Sequence, residues 1–70
     1  MKLEWSDSEE IGIQLFEQDE QFDPLTLRFS DLRDRILALD DFVGDPSEVS
    51  EGKLEAIQMA WLEEYKDNQE

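Results

Sequence analysis

Residues 50–66 read SEGKLEAIQMAWLEEYK, and this stretch decides the fold. Its large apolar residues recur at spacings of three and four, which places them on one side of a helix. They are Leu54, Ile57, Trp61 and Tyr65. Ser50 stands just before the pattern, where a serine oxygen can accept a hydrogen bond from a free backbone N–H. The stretch therefore predicts an amphipathic helix over roughly 51–66 with Ser50 as its cap.

Two shorter helical patterns precede this one. The first begins at Ser6, which forms an S-x-x-E capping box with Glu9, and it ends near residues 18–20. Its apolar side is formed by Ile11, Leu15 and Phe16. The second pattern is capped by Ser30 and covers roughly 31–39. Its apolar stripe is formed by Leu32, Ile36 and Leu39.

Each of the two segments between the predicted helices contains a proline. Asp23-Pro24 favours a turn, because proline fixes its own backbone angle and restricts the residue before it. Residues 26–29 follow as a short extended connector, and residues 40–50 form a loop from which Phe42 returns to the core. We therefore predict a mainly α fold, a small three-helix domain with a modified winged-helix-like arrangement and a short extended connector.

The length of 70 residues allows one domain, residues 1–70, with residues 66–70 as a frayed tail. Because the chain has no cysteine, no disulfide can staple it, and the core must be purely apolar. The candidates for that core are Leu3, Trp5, Ile11, Leu15, Phe16, Phe22, Leu27, Phe29, Leu32, Ile36, Leu39, Phe42, Leu54, Ile57, Trp61, Leu62 and Tyr65. No targeting sequence or membrane-length apolar run is recognised, so a soluble, cytoplasmic protein is expected.

Charge is the strongest compositional feature. Twenty acidic residues against six basic ones give a net charge of −14. Such a charge repels nucleic-acid phosphates and anionic membranes, whereas it attracts basic protein surfaces. Acids that only keep a small domain soluble are the alternative interpretation. The few arginines are expected to serve as internal ion-pair partners.

The residues that are missing limit the possible chemistry. Without cysteine or histidine the chain cannot use a thiol nucleophile or an imidazole base, and it cannot hold an iron–sulphur cluster or the usual zinc site. Paired carboxylates can hydrolyse glycosides, but this chain has little room for the cleft that such a reaction needs. The sequence therefore predicts a protein that is not an enzyme and that holds no tightly bound cofactor.

Oxygen ligation of hard cations remains possible. Asp40 and Glu51 stand at the first and last positions of a calcium loop, but Phe42 and Gly44 occupy ligand positions and exclude an EF-hand. Acids of the first helix and the connector after it are better candidates for weak binding of ferrous or ferric iron. They are Asp7, Glu10, Glu17, Asp19, Glu20 and Asp23. A merely solvated acidic helix face is the alternative.

Several segments together resemble one family. They are residues 5–12 (WSDSEEIG), 23–32 (DPLTLRFSDL), 39–42 (LDDF) with 45–46 (DP), 54–57 (LEAI) and 60–64 (AWLEE). Over about residues 3–64 the set resembles the IscX family, small acidic proteins of bacterial iron–sulphur cluster assembly. One departure is Arg35, which stands in a stretch where the family carries an aromatic residue. An anchoring or stacking role at this position is therefore not supported.

The resemblance implies a winged-helix fold without DNA binding, weak iron binding at surface acids, and docking on a cysteine desulfurase. The family member would be an adaptor that tunes the desulfurase, in a role overlapping bacterial frataxin. We expect a monomer whose acids dock on a basic patch of that enzyme, with no nucleic-acid or membrane partner. The docking candidates are Asp7, Glu10, Asp31, Asp34, Asp40 and Asp41. An iron-delivery protein and an acidic DNA-mimic inhibitor are the alternatives.

Overall fold

The structure is a computed structural model that describes residues 2–69. Within these residues five helical segments follow one another, three of them α-helices and two of them single 3-10 turns. They are α1 (Ser8–Gln18), the first 3-10 turn (Pro24–Thr26), α2 (Phe29–Leu37), the second 3-10 turn (Pro46–Glu48) and α3 (Glu51–Asp67). The predicted mainly α, three-helix fold is confirmed. Its winged-helix character stays a prediction.

The third helix has the predicted start. The hydroxyl oxygen of Ser50 accepts a hydrogen bond from the backbone N–H of Lys53 at 3.2 Å, so the predicted cap is confirmed. The helix ends at Asp67, one residue beyond the predicted end. It therefore includes the first two residues of the predicted frayed tail. Fraying stays a prediction, and the last tail residue, Glu70, lies outside the described residues.

The start of α1 differs from the predicted capping box. The N-cap position is held by Asp7, not Ser6, and no side chain bonds the first turn of the helix from that position. Asp7 instead closes a turn with Glu4: its carboxylate accepts from the Glu4 N–H at 2.8 Å, and its own N–H donates to the Glu4 carbonyl at 2.9 Å. Because Ser6 lies inside this turn, the helix begins two residues later than predicted.

The second helix, in contrast, begins at Phe29, one residue before its predicted cap Ser30. Arg28 occupies the N-cap position, and Ser30 is the second residue inside the helix. The predicted extended connector shrinks to Leu27 and Arg28, because Thr26 still belongs to the first 3-10 turn. That turn is held by Asp23, whose carboxylate accepts from the Leu25 N–H at 2.9 Å. Asp23 therefore caps the 3-10 turn, and the predicted Ser30 cap of α2 is wrong, because Arg28 holds that position without a side-chain bond.

The core has the predicted composition. Apart from Pro24, all buried large apolar side chains of residues 2–69 belong to the predicted set. They are Leu3, Trp5, Ile11, Leu15, Phe16, Leu32, Ile36, Leu39, Leu54, Ile57, Trp61 and Leu62. The five remaining candidates are partly buried against this cluster. Phe42 does return to the core, where its ring packs edge-on against Trp5 with ring centroids 4.8 Å apart.

Among the helices of residues 2–69, α1 and α3 share the most extensive contact. A Cβ atom placed on Gly12 would stand 2.7 Å from the backbone nitrogen of Trp61 and 2.8 Å from the Cβ of Ala60. Such distances are shorter than real carbon contacts, so the two helices approach this closely only because residue 12 has no side chain. We call this contact the α1–α3 seam.

The N-terminal segment is fixed to the loop after α2. The Leu3 N–H donates to the Asp41 carbonyl and the Val43 N–H donates to the Leu3 carbonyl, both at 2.7 Å. They form an isolated parallel bridge between Leu3 and Phe42, and no longer strand occurs in residues 2–69. In the same part of the chain, no helix is long and apolar enough to cross a membrane.

Candidate acidic docking surface

The charges of this protein lie at its surface. No charged side chain is buried among residues 2–69. The one ion pair in that part of the chain joins Arg33 to Asp34 at 3.5 Å, and both side chains are exposed. An exposed pair of this kind contributes little to stability. The expectation that the arginines serve as internal ion-pair partners therefore holds for Arg33 and is wrong for the others, and the negative charge is left almost unneutralised within the molecule.

Two predicted docking residues lie together at the start of α1. Asp7 and Glu10 line a shallow hollow with Ser6, Ser8 and Glu9. Glu10 is exposed, while Asp7 is half-buried because its carboxylate closes the turn with Glu4. This end of α1 also carries the positive end of the helix dipole, which favours carboxylates at these positions. The hollow forms the first part of the acidic surface.

The six predicted iron ligands do not converge. Asp7 and Glu10 lie at the start of α1, whereas Glu17, Asp19 and Glu20 lie at its end, about 15 Å away for a helix of this length. Asp23 lies farther along and already accepts a backbone hydrogen bond. Between residues 2 and 69 no group of three or more acids is arranged to hold a metal ion. The iron site therefore stays a prediction.

A second recess lies between α2 and the segment that precedes it, and we call it the α2 recess. It is lined by Phe22, Thr26, Leu27, Asp31, Asp34 and Arg35. Asp31 and Asp34, both predicted docking residues, are exposed here, and Arg35 is half-buried between them and the apolar wall. The guanidinium carbon of Arg35 lies 4.3 Å from the centroid of the Phe22 ring. The sequence interpretation gave no stacking role to this position, yet the arginine itself stacks on an aromatic ring.

Asp40 and Asp41 complete the predicted docking set but differ in their surroundings. Asp40 is exposed. Asp41 is half-buried, and its carboxylate accepts a hydrogen bond from the side-chain amide of Gln14 at 3.1 Å. Its backbone carbonyl also accepts from Leu3. Asp41 therefore ties the loop to α1 as well as carrying surface charge.

The sequence interpretation missed an acidic groove beside the α1–α3 seam. Glu9, Glu63 and Glu64 meet there around the half-buried Ile13 and Ala60. These acids come from two helices separated by most of the chain, so spacing along one helix could not group them. The small residues Gly12 and Ala60 at the seam were the available signal, because they bring the two helices close together.

Asp45 is a structural acid on the loop before α3. Its carboxylate accepts from the backbone N–H and from the hydroxyl of Ser47, both at 2.9 Å, and these bonds lower the pKa of Asp45 below its ordinary value. Its backbone carbonyl accepts from the indole N–H of Trp5 at 2.6 Å. Asp45 therefore holds the loop against the core and is not a docking candidate.

Comparison with known proteins identifies the family. The family described as "Iron-sulphur cluster assembly" matches residues 3–66. An uncharacterized protein of Pseudomonas aeruginosa is 47% identical to this chain over 64 residues, which is 91% of this chain and 97% of that protein. The match covers all three helices, the α2 recess and the acids at the start of α1. The chain therefore belongs to the IscX family of iron–sulphur cluster assembly proteins.

Proposed function

We propose that this iron–sulphur cluster assembly protein is a non-enzymatic adaptor that docks through its acidic surface on a basic patch of the cysteine desulfurase. The observation that carries the proposal is the unneutralised charge. A net charge of −14 is displayed by side chains that are not buried, with a single exposed ion pair among residues 2–69. A field of this sign and size accelerates encounter with basic surfaces and selects against acidic ones.

The absence of cysteine and histidine supports an adaptor over a catalyst or a cluster carrier. Such a protein acts by occupying a surface on its partner. The acids at the start of α1 and those of the α2 recess are the strongest docking candidates, because both groups are accessible and each lines a hollow that can receive a basic side chain. Asp40 and Asp41 add charge beside them.

The docking proposal predicts that position matters as well as total charge. The double variant Asp7→Asn, Glu10→Gln keeps the size of both side chains and an oxygen that can accept from Glu4, so the fold should persist. Its affinity for the desulfurase should fall about tenfold, since charges at an interface edge set association and salt dependence. Titration of both proteins against the enzyme at low and high salt measures the effect.

The matched control is the double variant Glu48→Gln, Glu55→Gln. It removes the same amount of charge from two exposed residues near the N-terminal end of α3. At physiological ionic strength screening acts over about 8 Å, so acids outside the proposed docking surface should change the affinity by no more than about twofold. Equal losses for the two double variants, or binding that is insensitive to salt, would contradict the proposed interface. A pull-down from cell lysate with this protein as bait tests the DNA-mimic alternative. Recovery of a nucleic-acid enzyme in place of the desulfurase would favour that alternative.

We also propose that iron binds weakly to this surface as cargo. The support is the density of carboxylates at the end of α1, where like charges repel and a cation relieves the repulsion. Because these acids do not form one arranged site, the binding should be weak and broadly distributed. Added ferrous iron should broaden the NMR signals of Glu17, Asp19 and Glu20 first. Broadening confined to α3 would contradict this placement. Iron delivery as the main function is the alternative proposal.

A further inference from the structure

The α2 recess contains a positive charge inside a negative surface. Asp31 and Asp34 are exposed on it, Phe22 and Leu27 form a half-buried apolar wall, and Arg35 lies between them. The recess is therefore not a uniform acidic patch. A partner that fits it must present both signs of charge.

Arg35 is not neutralised by its own helix. Asp31 lies four residues before it, which is the spacing and order that favour an ion pair within a helix. Even so, no carboxylate of residues 2–69 lies within ion-pair distance of Arg35. Its guanidinium lies over the Phe22 ring, and Phe22 stacks in turn on Trp61 with ring centroids 5.7 Å apart. The guanidinium is held in place by an aromatic stack, and its N–H donors have no carboxylate partner among residues 2–69, so they stay available to an external carboxylate.

We propose that Arg35 pairs with a carboxylate of the partner while Asp31 and Asp34 pair with basic groups beside that carboxylate. The inference rests on the proposed docking function and specifies its chemistry. A guanidinium binds a carboxylate through two parallel hydrogen bonds, and one already fixed on a ring loses less freedom when it does so. The recess therefore fits a desulfurase surface on which an acid lies next to basic residues.

This arrangement would determine orientation. A basic patch and an acidic surface attract each other in many relative orientations. A single positive charge on the acidic surface disfavours every orientation in which that charge meets a basic group of the partner. Arg35 would then be a specificity-determining residue: it selects a single register on the partner. A purely structural role, in which Arg35 only covers Phe22 and Trp61, would affect stability and leave the affinity of the folded protein unchanged.

The two roles are separated by the variant Arg35→Gln in the full chain. This change makes the protein more acidic, from −14 to −15. Attraction by net charge alone predicts tighter binding to a basic partner. Pairing of Arg35 with a carboxylate predicts the opposite, a loss of affinity of about tenfold. Lys66→Gln is the control, since Lys66 is exposed in the last turn of α3 and its loss changes the net charge equally. Its affinity should stay equal to that of the wild type or rise slightly.

Titration against the desulfurase gives the affinities, and circular dichroism shows whether each variant is folded. If Arg35→Gln does not fold, Arg35→Lys decides, because lysine keeps the charge but not the paired donors. A severalfold loss in the folded lysine variant supports the proposal, and an unchanged affinity overturns it. Wild-type binding together with equal or tighter binding of folded Arg35→Gln overturns this inference alone. A wild-type protein that does not bind the desulfurase overturns the docking function and this inference with it.

Discussion

The α1–α3 seam and the α2 recess lie on opposite sides of the same residue. The backbone nitrogen of Trp61 is the atom that a side chain on Gly12 would strike, while the ring of Trp61 supports the stack of Phe22 and Arg35. The seam is apolar and closed, and the recess is charged and open. Stability should therefore reside in the seam, where atoms are in contact, and recognition in the recess, where charge is left unpaired. Substitutions can test this division.

The largest effect is expected at the seam. Gly12→Ala adds one carbon that would lie within 3 Å of backbone atoms of Ala60 and Trp61, and backbone cannot rotate away. The helices must move apart, which should lower the free energy of unfolding by about 1–3 kcal/mol even though alanine favours a helix. Urea denaturation followed by circular dichroism measures the change. Desulfurase binding by the fraction that remains folded should be unaffected.

Gly52→Ala is the matched control for that measurement. Gly52 also lies in a helix, but a side chain there meets nothing within 4 Å. The same substitution should therefore raise stability, by several tenths of a kcal/mol up to about 1 kcal/mol, because alanine restricts the unfolded chain. Stabilisation of similar size at both glycines would show that helix propensity dominates, and that the seam tolerates more volume than its distances indicate.

A smaller change in stability is expected at the helix ends. Their polar side chains are exposed, as are the aspartates of the α2 recess. The comparison of seam and recess implies that such a side chain adds stability only when it bonds a backbone group. Ser50→Ala removes the acceptor for the Lys53 N–H and should cost about 1 kcal/mol. Ser6→Ala removes a hydroxyl that caps no helix and should stay within about 0.5 kcal/mol. Thermal unfolding of the two variants side by side gives the difference. Equal losses of stability would instead support the capping box that the sequence predicted for Ser6 and Glu9.

These two serines show where sequence interpretation succeeds and where it fails. Both precede a helical apolar pattern, and only Ser50 is a cap. Around Ser50 no neighbour competes for the role, because the preceding Asp45 is engaged with Ser47. At Ser6 the turn between Glu4 and Asp7 places the serine outside the helix start. The possible capping side chains form hydrogen bonds of similar strength. A pattern of residue types therefore does not decide which of them caps the helix.

The candidate site divides in the same way. The number and sign of the charges are sequence properties, and so is the sequence proximity of Asp31 to Asp34 and of Asp7 to Glu10. The meeting of Glu9 with Glu63 and Glu64 depends on how the helices are placed, whereas the distance between the predicted iron ligands along α1 follows from the length of that one helix. Helical spacing relates residues within one helix only. It does not locate a partner that arrives from a distant part of the chain.

By itself the sequence determined that this protein is mainly helical, which apolar residues form its core, and that it carries a net charge of −14 without cysteine or histidine. Those properties follow from periodicity and composition, which are local or additive. The tertiary structure decided that Arg35 stacks on Phe22 and forms no ion pair with Asp31, and that α3 approaches Gly12 too closely for a side chain there. Both outcomes depend on a ring and a backbone brought in by other segments, because a side chain chooses its partner from everything that packing places within its reach.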